Sequence, residues 1–106
     1  MNSSSPLIAE KLLRARSLDG EEWDMRVCVW SPSPAELATW ACQVEITRLF
    51  SPPKPIYGED SWQALALALK FAASEVRSFL EGGGTLYWPE PASDGSLELF
   101  QLSDID

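Results

Sequence analysis

The stretch Tyr57–Pro89, YGEDSWQALALALKFAASEVRSFLEGGGTLYWP, constrains this chain more than any other. It predicts a capped helix of about five turns, a glycine stop and a short aromatic strand. Asp60 or Ser61 can accept from the free amides of a first turn, and Gln63 stands three residues after Asp60, as in a capping box. Glu59 and Asp60 also suit the positive end of a helix dipole. Gly82–Gly84 ends the helix, with Gly82 the expected left-handed cap.

Trp62, Leu65, Ala66, Leu69, Ala72, Ala73, Val76 and Leu80 recur at helical spacing and predict a core stripe. Gln63, Lys70, Ser74, Arg77 and Glu81 form a narrow wet stripe. Leu67 and Phe71, one turn apart, lie beside it and are surplus to the main stripe. The helix is therefore apolar around most of its circumference, which predicts buried contacts on more than one side.

The rest of the chain reads as strands. Leu7–Ser17 mixes apolar and charged residues in an imperfect alternation, read as an edge strand. A helix stays open as the alternative, because Ile8, Leu12 and Ala15 would share a face. Leu18-Asp19-Gly20-Glu21 carries the strongest hairpin dipeptide. Trp23, Met25, Val27 and Val29 then alternate with Asp24, Arg26, Cys28 and Trp30, the pattern of a half-buried strand. A third strand is expected from Ala38 to Leu49, with Trp40, Cys42, Val44 and Ile46 inward. SPPKPIYG at 51–58 reads as a stiff crossover to the helix. Thr85–Trp88 and Leu97–Phe100 are expected to pair as a hairpin.

One helix of about 30 Å can lie along strands of eight to ten residues. The order β-β-β-α-β-β thus predicts an α+β two-layer domain, an antiparallel sheet with one long helix packed on one face. A single helix spans only about two strand spacings, which leaves sheet for a partner or a second copy to cover. At 106 residues the chain is one domain. The ends, 1–6 and 103–106, are expected to be mobile tails.

Charge narrows the function. Sixteen acids face eight bases, a net charge of −8. Residues 82–106 hold five acids and no base. Such a chain is repelled by phosphate backbones and anionic lipid, and a basic protein would be steered toward it. Acidity that serves solubility alone is the competing explanation. No run approaches the ~18 apolar residues of a membrane span, and MNSSSPLIAEKLL lacks a signal peptide's pattern, so a cytoplasmic protein is expected.

There is no histidine, which removes the usual general base and the commonest metal ligand. Cys28 and Cys42 face opposite sides of the sheet in this phase and are read as unpaired thiols. Only carboxylates are left for catalysis: Glu21, Glu22 and Asp24 near a turn, Glu59 and Asp60 at the helix start. Solvation and capping account for both groups, so no enzyme, cofactor or metal is expected.

The motif G-x-D-S-x-Q-A-L at Gly58–Leu65, followed by G-x-L-Y-W-P at Gly84–Pro89, resembles a family of small bacterial proteins catalogued as a domain of unknown function. The resemblance implies no activity. By size and acidity the chain is also similar to immunity proteins, which neutralise toxins in bacterial competition. The expected function is a protein-binding module, an immunity or inhibitor protein for a basic partner. Its candidate contact residues are Glu21, Glu22, Asp24, Trp30, Leu67, Phe71, Tyr87, Trp88, Glu90, Asp94 and Glu98. A small structural or regulatory homodimer, closed over Leu67 and Phe71 or over a sheet face, is the alternative, and a carboxylate enzyme or small-ligand binder the third.

Overall fold

A computed structural model describes residues 5–87. Six strands and one long helix form an α+β fold: β1 (Leu7–Arg16), β2 (Glu22–Trp30), β3 (Ser33–Pro34), β4 (Trp40–Ile46), β5 (Phe50–Gly58), α1 (Ser61–Glu81) and β6 (Thr85–Tyr87). Leu7–Arg16 is a strand as expected, but not an edge strand along its whole length: β6 pairs beside its end at Arg14–Arg16. β1 pairs antiparallel with β2 from Arg16↔Glu22 to Leu7↔Trp30. Its turn closes through Ser17 N–H donating to Glu21 O at 2.8 Å, with Gly20 at φ +95°. Only glycine adopts that backbone without strain.

β4 pairs with β5 along one edge. Along its other edge it meets β2 at Val44–Ile46 and β3 at Trp40–Ala41, so β3 continues β2 after a register change. β6 lies antiparallel to the end of β1, with Arg14 opposite Tyr87. The sheet therefore runs β6, β1, β2 with β3, β4, β5.

Strand alternation sends Leu13, Ala15, Met25, Val27, Val29, Cys42, Val44 and Ile46 to one face, where all are buried in one core with residues of α1 and Leu86 of β6. Full burial of each large aliphatic side chain stabilises the fold by roughly 1.5–3 kcal/mol. The helix answers with small residues: Ala64, Ala68, Ala72, Ala73 and Val76 are its buried positions. Alanines bring the helix axis close to the sheet, while Leu65, Leu69, Phe71, Phe79 and Leu80 reach down its flanks and pack against the core. Cys28 lies on the opposite face, as the alternation predicts, and both thiols are free and buried. Burial pushes the Cys42 thiol up to about 11 and raises that of Cys28 as well.

Several expectations need correction. The proline-rich segment is a strand: β5 is an edge strand, a position that tolerates residues without an N–H donor. It adds a strand before the helix, so the order is not β-β-β-α-β-β. The third long strand is shorter than Ala38–Leu49, because a single 3-10 turn takes Glu36–Ala38 and a turn follows Ile46. Gly82 has φ −84°, and Gly83, at +102°, is the left-handed residue. Trp62, assigned to the core stripe, is 83% exposed. The expected partner of β6 at Leu97–Phe100 lies outside the described residues.

The helix lies over β4 and β5 and touches β2 and β6 more lightly. Leu7, Ile8 and Leu12 at the far side of the sheet stay exposed. No helix among the described residues is long and apolar enough to cross a membrane.

Candidate functional site

Three large apolar side chains stand out at one end of the sheet. Pro34, Trp40 and Gly58 are neighbours in register there, so the loop between β3 and β4 and the junction of β5 with α1 come together. Leu37, in that loop, is 92% exposed. Tyr57, one residue before the end of β5, is 57% exposed, and Trp62 projects from the first turn of α1. Leu37 and Tyr57 line one cavity of about 520 Å³ with Ala35, Glu36 and Thr39.

The loop holds Leu37 in an unfavourable backbone conformation. Leu37 (φ 61°, ψ 38°) and Ala38 (φ 61°) are consecutive left-handed residues with side chains. Each costs about 1–2 kcal/mol relative to the right-handed region. Local hydrogen bonds offset that cost: Ala35 N–H donates to Thr39 O at 2.8 Å, and the Thr39 hydroxyl donates to Glu36 O at 2.7 Å. At the helix start, Asp60 accepts from Gln63 N–H at 2.8 Å, and Gln63 Oε1 accepts from Glu59 N–H at 2.7 Å. The capping is reciprocal, as in a capping box, except that Gln63 reaches the amide one residue before the cap. Glu36, Glu59 and Asp60 thus border the exposed apolar groups, and none forms an ion pair among the described residues.

The acids chosen from sequence sit at the opposite end of β2 and are matched by arginines. Glu21 pairs with Arg48 at 2.8 Å. Glu22 lies 3.5 Å from Arg14 and 3.9 Å from Arg16, and Asp24 pairs with Arg14 at 2.8 Å. Exposed pairs of this kind contribute little stability, but they cancel the local field. Arg48 also stacks 4.4 Å from the centre of the Trp23 ring, which meets Phe79 edge-on at 5.7 Å.

Trp30 is half-buried at the end of β2, where its carbonyl accepts from the Cys42 thiol at 3.1 Å. Tyr87 is half-buried beside Arg16; their contact raises the arginine's hold on its proton. Leu67, 40% exposed, and half-buried Phe71 line a groove of about 460 Å³ between α1 and β5, together with Ile56, Lys70, Ala73, Ser74 and Arg77. Phe50 packs edge-on against Phe71, with ring centres 4.6 Å apart. Trp88, Glu90, Asp94 and Glu98 lie outside the described residues. The described candidates therefore fall into separate places: Glu21, Glu22 and Asp24 at the first hairpin, Leu67 and Phe71 in the groove, and Trp30 and Tyr87 each apart.

Leu37 and Trp62 escaped sequence reasoning. Trp62 fits the apolar helical period, and nothing in the composition around Leu37 signals its backbone conformation. Ser-Pro-Ser-Pro before it marks a loop and no more. Among the described residues, no group of three or more His, Cys, Asp or Glu side chains is arranged to hold a metal ion.

No curated protein and no solved structure matches the chain. The family model of a domain of unknown function, DUF6968, matches residues 9–98, and the chain belongs to that family.

Proposed function

We propose that this protein is a non-enzymatic binding module, an inhibitor of the immunity type whose Leu37 end meets a basic partner protein. The observation that carries the reading is Leu37 itself: a large apolar side chain, 92% exposed, on a left-handed backbone. Folding gains nothing from either property, and strained residues of this kind collect at functional surfaces. Tyr57 and Trp62 add the side-chain types that dominate interface energetics. Glu36, Glu59 and Asp60 supply an acidic border that would steer a cationic partner and fix its orientation.

The test is binding and protection with a toxin encoded beside the gene in its host. Leu37→Asp and Trp62→Ala are each expected to weaken binding at least tenfold and to abolish protection in growth assays. Undiminished binding by both variants would remove this end of the molecule from the function. A host in which no neighbouring toxin is neutralised would remove the immunity role.

A further inference from the structure

The groove beside Leu67 and Phe71 has the opposite electrostatic character to the Leu37 end. Its floor is apolar, and Lys70 and Arg77 stand on its helical rim, seven residues and so about 10 Å apart along the axis. Among the described residues neither forms an ion pair, whereas Arg14, Arg16, Arg26 and Arg48 all do. Two cations without an ion pair among the described residues, over an apolar floor, are conspicuous in a chain of net charge −8. Strand addition does not suit this side of the molecule, because Pro52, Pro53 and Pro55 remove amide donors from β5. What fits is a protruding aliphatic side chain with a carboxylate next to it.

The chain carries such a group itself. We infer that Leu37 of a second copy inserts between Leu67 and Phe71, with the second copy's Glu36 and helix-start acids facing Lys70 and Arg77. The groove, at about 460 Å³, has room for an aliphatic side chain together with its flanking backbone. Donor end and acceptor groove are different surfaces of one chain, so the contact is head-to-tail and each copy keeps one end open. Association is weak, because two copies of charge −8 repel beyond the contact, and added salt weakens the local charge pairing. The inference rests on the reading of the Leu37 end as a binding surface.

Analytical ultracentrifugation of three proteins tests it: wild type, Leu37→Asp, and the double variant Lys70→Glu/Arg77→Glu. Wild type is expected to gain average mass with concentration between about 10 µM and 1 mM, the range of weak, concentration-dependent association. Each variant alone is expected to remain a monomer. A mixture of the two is expected to form a 1:1 dimer and nothing larger, since one variant supplies the intact groove and the other the intact Leu37 end. That dimer also certifies that both variants fold. Wild type monomeric throughout, association that persists in Lys70→Glu/Arg77→Glu, or a mixture that stays monomeric while wild type associates would each overturn the inference. The double variant is expected to keep full affinity for a basic partner. Failure of self-association therefore leaves the proposed function standing, and partner binding undiminished in Leu37→Asp removes that function separately.

Discussion

Gly58 and Ala64 bring strand and helix into backbone contact: a β-carbon placed on Gly58 would lie 2.4 Å from the Ala64 nitrogen and 2.7 Å from its α-carbon. The last residue of β5 thus has to be glycine for the first turn of α1 to dock where it does. The opposing atoms are main chain and cannot swing aside. Gly58→Ala is expected to destabilise the fold by at least the ~1–3 kcal/mol typical of overpacking. Urea unfolding followed by tryptophan fluorescence measures it; an unchanged midpoint would show that the helix start is free to shift.

The cap at Asp60 is a separate contribution. Asp60→Ala removes the acceptor for Gln63 N–H and is expected to cost about 1 kcal/mol. In a domain of this size that lowers Tm by roughly 4–8 °C. Asp60→Ser, which keeps an acceptor, is expected to restore most of the loss in calorimetry.

Leu37→Asn is expected to act in the opposite direction. Asparagine tolerates the left-handed region better than leucine does. The substitution removes an exposed apolar group and relieves strain, so stability is expected to rise by up to ~1 kcal/mol. Partner binding and self-association are expected to fall together. A gain in stability with loss of binding is the signature of a residue kept for contact rather than for folding; a loss of stability would contradict the account of the loop.

The thiols set a limit at high pH. Cys42 ionises near 11 in the folded protein against about 9 when unfolded, and Cys28 is raised as well. Above pH 9 the unfolded chain releases thiol protons that the folded chain retains. Stability from this source is therefore complete below pH 9 and declines as pH rises toward 11. The urea midpoint is expected to drop across that window, less steeply in Cys42→Ala. Reaction with a thiol reagent at pH 8 is expected to be slow until the protein unfolds.

Much of this fold was legible because local signals and burial agreed. Asp19-Gly20 set the first hairpin, the alternation Trp23 to Val29 gave the inner face of β2, and Asp60 with Gln63 gave the helix start. β5 was misread because Pro52, Pro53 and Pro55 argue against a strand, and only the tertiary fact of an edge position admits them. Trp62 shows the limit of periodicity. It shares the spacing of Leu65 and Leu69, but the buried stripe runs through Ala64, Ala68, Ala72 and Val76, and at ~100° per residue Trp62 stands on the opposite side of the helix from Ala64. The acids Glu21, Glu22 and Asp24 seemed available until the hairpin register placed Arg14 opposite Asp24 and Arg16 opposite Glu22. That pairing depends on the loop length: Ser17 pairs with Glu21 across a three-residue loop, one register step away from that of a two-residue Asp-Gly turn. The conformation of Leu37 leaves no trace in residue type, because leucine is among the least expected occupants of its backbone region.

The prolines of β5 have a consequence for how this protein behaves when concentrated. Pro52, Pro53 and Pro55 remove three amide donors from β5, which makes that edge a poor template for further strands. The same three prolines that argue against a strand by residue type guard the sheet against unwanted pairing at β5.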